Sequence, residues 1–150
     1  MAKKKNQSKV KAETEAVSEE SPRAFDFANK YLVFAVIAVL CIVVYGQTFG
    51  FEFVSLDDDS YVFENAGVAQ GLSFAGIKWA ITAFHSANWH PLTWISHQFD
   101  VSLFGLEAGG HHAVNVLFHI ANSLLVFALL RCLTGAFWRS AFVAALFAVH

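Results

Sequence analysis

The stretch Tyr31–Gly50 reads YLVFAVIAVLCIVVYGQTFG, and it decides the fold class. It contains no charged side chain, and its length matches the roughly 20 residues that a helix needs to cross about 30 Å of hydrocarbon. We therefore predict a transmembrane helix here. A cleaved signal peptide is the alternative. The long charged leader and the lack of a clean small-x-small cleavage site favour an uncleaved signal anchor.

The composition agrees with a membrane protein. The chain of 150 residues is 56% hydrophobic, a level that soluble domains of this size rarely reach. Its net charge of −2 gives no basis for nucleic-acid binding. Between residues 51 and 130, Lys78 is the only Lys or Arg, whereas seven basic residues precede the apolar run: Lys3, Lys4, Lys5, Lys9, Lys11, Arg23 and Lys30. This asymmetry predicts a cytoplasmic N-terminus and an outer segment over residues 51–110.

Further apolar runs indicate an all-α, polytopic helical bundle. Residues 1–24 are polar and predict a disordered cytoplasmic tail. A second span is expected at residues 113–130, closed by Arg131, and a turn follows at Leu133–Arg139. The last run, residues 140–150, covers only about 16 Å at 1.5 Å per residue. We therefore expect a third span that is cut short and a chain that is the N-terminal fragment of a longer protein.

The outer segment carries two apolar stripes at helical spacing, which predict two short amphipathic helices lying along the membrane surface. Pro91 suits the first turn of the second helix. The alternative is a small soluble subdomain that uses the same stripes as its core. Trp79, Trp89 and Trp94 are typical of the headgroup region. The stripes are Phe74, Ile77, Ile81 and Phe84, then Leu92, Ile95, Phe99 and Leu103.

Three adjacent carboxylates, Asp57, Asp58 and Asp59, follow the first span closely, with Tyr61 and Asn65 just beyond. Their mutual repulsion raises at least one pKa or recruits a divalent cation. One of them could also act as a general base on a hydroxyl. A solvated acidic turn is the alternative.

Two further groups of polar residues could contribute to a site. In a helix that begins at Pro91, His90 and His97 share a face, and Asp100 can orient the His97 imidazole. Within the second span, a polar stripe predicts a face turned toward the bundle interior. Interfacial histidine tips and interhelical hydrogen bonds are the respective alternatives. The stripe contains His111, Asn115, His119 and Asn122, with His112 beside its start.

The segments LDDDSYVFEN, GLSFAGIKWAITAFHSANWHPLTWISHQFDVSLFGL, GGHHAVNVLFHIANSLLVFALLRCLTG and WRSAFVAALFAVH carry a family resemblance. They resemble the opening of bacterial transmembrane proteins with tetratricopeptide repeats, which are similar to the eukaryotic transmembrane and tetratricopeptide-repeat O-mannosyltransferases of the GT-C glycosyltransferase class. The resemblance covers roughly residues 51–150. It implies a GT-C bundle and an acidic active-site motif at Asp57 and Asp58, with Asp59 sharing the role. His90-Pro91-Leu92 looks like a counterpart of the HPP-type motif of the O-mannosyltransferases.

The resemblance implies an enzyme of the bacterial inner membrane. A polyprenyl-phosphate-linked sugar would be the donor and a protein Ser or Thr hydroxyl the acceptor, with Asp58 as the base. The expected partners are therefore this donor, the protein acceptor and membrane lipid, without nucleic acid. No cofactor is assigned, and a divalent cation is the candidate to test. We assign substrate binding to seven residues: Asp59, Asn65, His90, His97, His111, His112 and Asn115.

Two other functions fit parts of the sequence. The bundle could be a non-enzymatic scaffold that anchors a C-terminal tetratricopeptide-repeat domain, with the acidic motif a relic. Alternatively, the His/Asn stripe could line the pathway of a transporter or channel, which would need matching polar stripes in later spans.

The charge asymmetry predicts which residues face the outside. In cells that produce a Ser73→Cys variant, a membrane-impermeant thiol reagent should label residue 73 without lysis. The wild-type chain is the control, because its Cys132 lies beside Arg131 at the predicted cytoplasmic end and should react only after lysis. Labelling of residue 73 only after lysis would overturn the orientation.

Overall fold

The computed structural model describes residues 29–150, so the predicted tail at residues 1–24 lies outside the described part. Every regular element in this range is helical, and the only β contact is an isolated bridge between His85 and Asn88. The expectation of an all-α chain is therefore confirmed.

Two helices are long and apolar enough to cross a membrane: Asn29–Gly50 and Ala108–Thr134. The first comprises α1, residues 29–45, and a 3-10 turn at Gly46–Gly50. The second is α5, and α6 follows at Phe137–Ala148 with 12 residues. Many of the large apolar side chains on these helices are exposed, which suits contact with lipid or with further helices.

A glycine cap, rather than the end of the apolar run, sets the C-terminal limit of α5. Gly135 ends α5 with a left-handed φ of 65°, and its N–H bonds to the Arg131 carbonyl. Glycine adopts this conformation without steric cost, which makes it the common residue after a helix. The connection to α6 is therefore shorter than the predicted turn Leu133–Arg139. Both helices also begin earlier than predicted. Helix α5 starts at Ala108, ahead of the predicted residue 113, and α6 starts at Phe137, ahead of residue 140.

Helices α1, α5 and α6 pack around Cys41. Its Sγ lies 3.9 Å from Ser123 Oγ on α5 and donates to the Ala148 carbonyl on α6 at 3.7 Å. Small residues at this contact let the helices approach closely, as membrane helices often do. Both cysteines are free. The buried cluster is Val33, Ile37, Cys41, Phe127, Ala144 and Ala148.

The segment between the long helices forms a small helical subdomain centred on Trp94, which is fully buried. The Trp94 ring contacts Tyr61, Trp79 and His85 at centroid distances of 4.7–5.8 Å. Gln98 is also buried, and its Nε2 donates to backbone carbonyls of two neighbouring helices at 3.0 Å. The elements are a π turn at Asp59–Phe63, α2 at Ala66–Ala69, α3 at Phe74–Thr82 and α4 at Pro91–Phe104.

This core corrects two expectations about the outer segment. Trp94 is the centre of the core and not a headgroup anchor. The apolar stripes are also not the core, because Phe74 is 92% exposed and Leu92 is 81% exposed. On α4 the buried face instead contains Trp94, Gln98 and Val101, which are spaced four and three residues apart and therefore share one side of the helix. The subdomain thus has its own core and still presents apolar side chains outward.

Two glycines at the start of α5 join the subdomain to the bundle. A Cβ on Gly109 would lie 2.4 Å from the Phe49 carbonyl oxygen, and a Cβ on Gly110 would lie 2.4–2.9 Å from the Phe104 side chain. Only glycine fits such approaches without displacing a neighbour. The end of α1, the end of α4 and the start of α5 therefore meet at one place.

A single methyl group tests the packing of the subdomain. In Gly67→Ala, the new Cβ would lie 2.4–2.6 Å from the Trp79 indole. Overpacking of this kind costs about 1–3 kcal/mol, so the thermal midpoint of the detergent-solubilised protein should fall. Gly50→Ala is the matched control, because no atom lies within 4 Å of its Cβ position. Equal midpoints for the two variants would contradict the packing of α2 on α3.

Candidate functional site

The acidic residues form a turn that is tied to the backbone. Asp58 Oδ2 accepts a 2.8 Å hydrogen bond from the Val54 N–H, and Asp59 Oδ1 accepts one from the Ser60 N–H. The Asp57 carbonyl accepts from the Tyr61 N–H, while Asp57 itself is exposed. The turn therefore holds Asp58 and Asp59 in defined positions and leaves Asp57 facing solvent.

A second turn, residues 85–88, is hydrogen-bonded to the acidic turn. His85 Nε2 donates to the Ser60 carbonyl at 2.9 Å, and Asn88 Nδ2 donates to the Tyr61 hydroxyl at 2.8 Å. Between them, Ser86 and Ala87 both have positive φ values, 48° and 60°. Left-handed backbone at residues other than glycine is unfavourable and often accompanies functional sites. Sequence reasoning assigned no role to His85 or Asn88, because Ser-Ala lacks the residues that mark such a turn.

A cluster of His97, Asp100 and His111 lies where α4 meets the start of α5. The Nδ1 atoms of both histidines are 3.9 Å from Asp100 Oδ2. The His97 and His111 rings are 6.3 Å apart. Asp100 and His111 are buried and His97 is largely so. Asp100 lies beside His97, as predicted, but makes no hydrogen bond to its Nδ1, and His111 approaches Asp100 from the other helix.

Burial favours the neutral forms of His97 and Asp100. Burial lowers the pKa of His97, and His111 lowers it further, while the nearby Asp58 carboxylate opposes both effects. Burial raises the pKa of Asp100, and His111 partly offsets this.

A cavity of about 400 Å³ opens next to the acidic turn, between the end of α1 and the upper part of α5. The surface of its wall is mostly apolar, but seven of the ten lining residues carry a polar group: Tyr45, Thr48, Glu52, His112, Asn115, His119 and His150. Val54, whose N–H holds Asp58, also lines it. A mostly apolar cavity with a few converging polar groups is the usual form of a small-molecule site.

The predicted polar stripe divides between two places. His112, Asn115 and His119 line the cavity, whereas His111 faces α4 in the His/Asp cluster. His119 also donates from Nε2 to the Ala148 carbonyl at 3.1 Å, which is an interhelical bond of the kind given as the alternative. Asn122 is exposed.

Two other predicted residues lie apart from this arrangement. Asn65 is buried and caps α2, since its side chain accepts from the Gly67 N–H. His90 is exposed at the N-cap of α4, where its ring lies 6.3 Å from that of Trp94. The structure therefore groups His97 and His111 around Asp100 and gives Asn65 a structural role.

Comparison with known proteins gives no relative: no family model, no curated protein and no solved structure matches the chain.

Proposed function

We propose that this chain is part of an integral membrane glycosyltransferase that moves a sugar from a polyprenyl-phosphate donor to a protein Ser or Thr hydroxyl. The observation that carries the proposal is the position of Asp58. Its carboxylate is fixed to the backbone of Val54, which lines the apolar cavity at the end of α1. A carboxylate beside an apolar cavity suits a reaction between a lipid-linked donor and a polar acceptor.

The proposed reaction needs one base and one departing phosphate. The acceptor hydroxyl oxygen attacks the anomeric carbon and its proton passes to Asp58, while the bond from that carbon to the phosphate oxygen breaks. Polyprenyl phosphate leaves with the bonding electrons, and the configuration of the sugar inverts. The hydrogen bond from the Val54 N–H uses Oδ2 of Asp58, so Oδ1 is the oxygen that would take the proton.

The two long apolar helices support a place in the membrane, and the charge asymmetry supports an outer location for the subdomain. In this arrangement the exposed apolar side chains of α3 and α4 lie against the membrane surface. The donor lipid would then reach the cavity from the bilayer, and the protein acceptor would approach from the aqueous side.

One observation favours a second candidate, the non-enzymatic scaffold. Asp58 and Asp59 each accept a backbone hydrogen bond, which is the structural role that Asp commonly has in turns. In that case the acidic turn shapes the subdomain, and the exposed apolar faces are what the protein uses to bind its partners.

The role of Asp58 can be tested in the full-length protein. Asp58→Asn retains an oxygen for the Val54 N–H but removes the base. General-base catalysis contributes about two to four powers of ten, so transfer of mannose from polyprenyl-phosphate mannose to a Ser/Thr peptide should fall by at least about 100-fold.

Asp59→Asn is the matched control, because it also keeps its hydrogen bond to the backbone and lies outside the proposed catalytic pair; its loss should be smaller. Wild-type transfer by the double variant Asp57→Asn/Asp58→Asn would contradict the assignment. A wild-type protein without transferase activity would favour the scaffold.

A further inference from the structure

We propose that His97, Asp100 and His111 form a binding site for one divalent transition-metal ion, with zinc preferred. The three residues come from two helices, α4 and α5, and each offers one ligand atom. These atoms all lie within 4.8 Å of one another. The proposal concerns metal binding alone and does not depend on sugar transfer.

The side chains converge without bonding to each other. Each His Nδ1 is 3.9 Å from Asp100 Oδ2, which is too far for a hydrogen bond. Both Nδ1 atoms and Asp100 Oδ1 are buried, and none has a hydrogen-bond partner among residues 29–150. A buried polar atom without a partner is energetically unfavourable. One bound cation would satisfy these groups together.

The His111 tautomer is the one that metal binding requires. His111 Nε2 is 3.1 Å from the Gly105 carbonyl oxygen, and a carbonyl can only accept, so Nε2 carries the hydrogen. In this tautomer, Nδ1 has a free lone pair, and it lies 3.9 Å from Asp100 Oδ2. Metal-binding histidines usually donate their second N–H to a carbonyl or carboxylate in this way.

The position of that carbonyl depends on the backbone at Gly105. This residue ends α4 with a φ of 64°, which favours glycine over residues with a side chain. The Gly105 carbonyl thus links the end of one helix to the imidazole on the next. It orients the His111 ring without being one of the three proposed metal ligands.

The ligand chemistry selects the ion. Two imidazole nitrogens and one carboxylate oxygen suit zinc and related transition ions, whereas magnesium and calcium prefer oxygen ligands. With bonds of about 2.0–2.1 Å, two ligands of a tetrahedral zinc lie about 3.3–3.5 Å apart. Each Asp–His pair would have to close by about 0.5 Å to reach this separation. Three protein ligands leave one position for water, a pattern typical of catalytic zinc sites.

Metal binding can be measured on the full-length protein, purified without a histidine tag and stripped with a chelator. Calorimetric titration with Zn²⁺ should give a stoichiometry of one ion per chain, and elemental analysis should give the same ratio. Co²⁺ should give the visible absorption of a tetrahedral ion. Mutation of a residue that only hydrogen-bonds to a metal ligand typically lowers metal affinity by about 10- to 100-fold. Loss of a ligand itself should cost more, so Asp100→Asn and His111→Gln should each weaken zinc binding by at least about 100-fold.

His90→Gln is the matched control: it also removes an imidazole from the α4 region, but outside the cluster, and should bind zinc as the wild type does. If the two ligand variants fail to fold, X-ray absorption of the zinc-loaded wild type decides the matter, because it should show two imidazole ligands. Absence of zinc binding by the wild type, unchanged affinity in folded ligand variants, or a coordination shell without imidazole would each overturn the proposal.

Discussion

The close approach of the Phe49 carbonyl to Gly109 is the constraint on which the rest of the arrangement depends. It brings the end of α1 against the start of α5, so the ends of the outer segment meet. The intervening chain is thereby confined above the ends of the two long helices, where it folds around Trp94. A side chain at residue 109 would separate the two backbones, since its first carbon would lie 2.4 Å from the carbonyl oxygen.

The orientation of the polar side chains at this junction follows from that contact. Because Gly110 lets α5 begin against Phe104, His111 turns toward α4 and meets Asp100, while His112 turns toward the cavity beside α1. Adjacent residues on one helix thus serve two neighbouring sites. The acidic turn lies close enough to affect His97, so the proposed base and the proposed metal site would share one electrostatic environment. The segment 51–130 contains a single Lys or Arg, Lys78, and a cation at the cluster would add positive charge there.

The sequence predicts the long helices and the helices α3 and α4 well, because apolar runs and helical spacing depend only on local composition. It also predicts that His97 and Asp100 are neighbours, since they lie one turn apart on α4. It does not reveal the partnership of His97 with His111, which depends on the close approach of Gly109 to Phe49 and of Gly110 to Phe104. It misjudges Trp94 for a similar reason: aromatic residues serve equally in a membrane interface and in a core, and only tertiary packing decides between them.

Hydrogen exchange of Gly109→Ala in lipid nanodiscs tests the central contact most directly, with Gly50→Ala as the control. Alanine is the better helix former by about 1 kcal/mol, so helix propensity alone would increase protection. We expect the opposite: faster amide exchange in residues 46–54 and 97–112, where local opening would follow the loss of contact, and unchanged protection in residues 120–134. Exchange in Gly109→Ala that matches the Gly50→Ala control throughout would contradict the account.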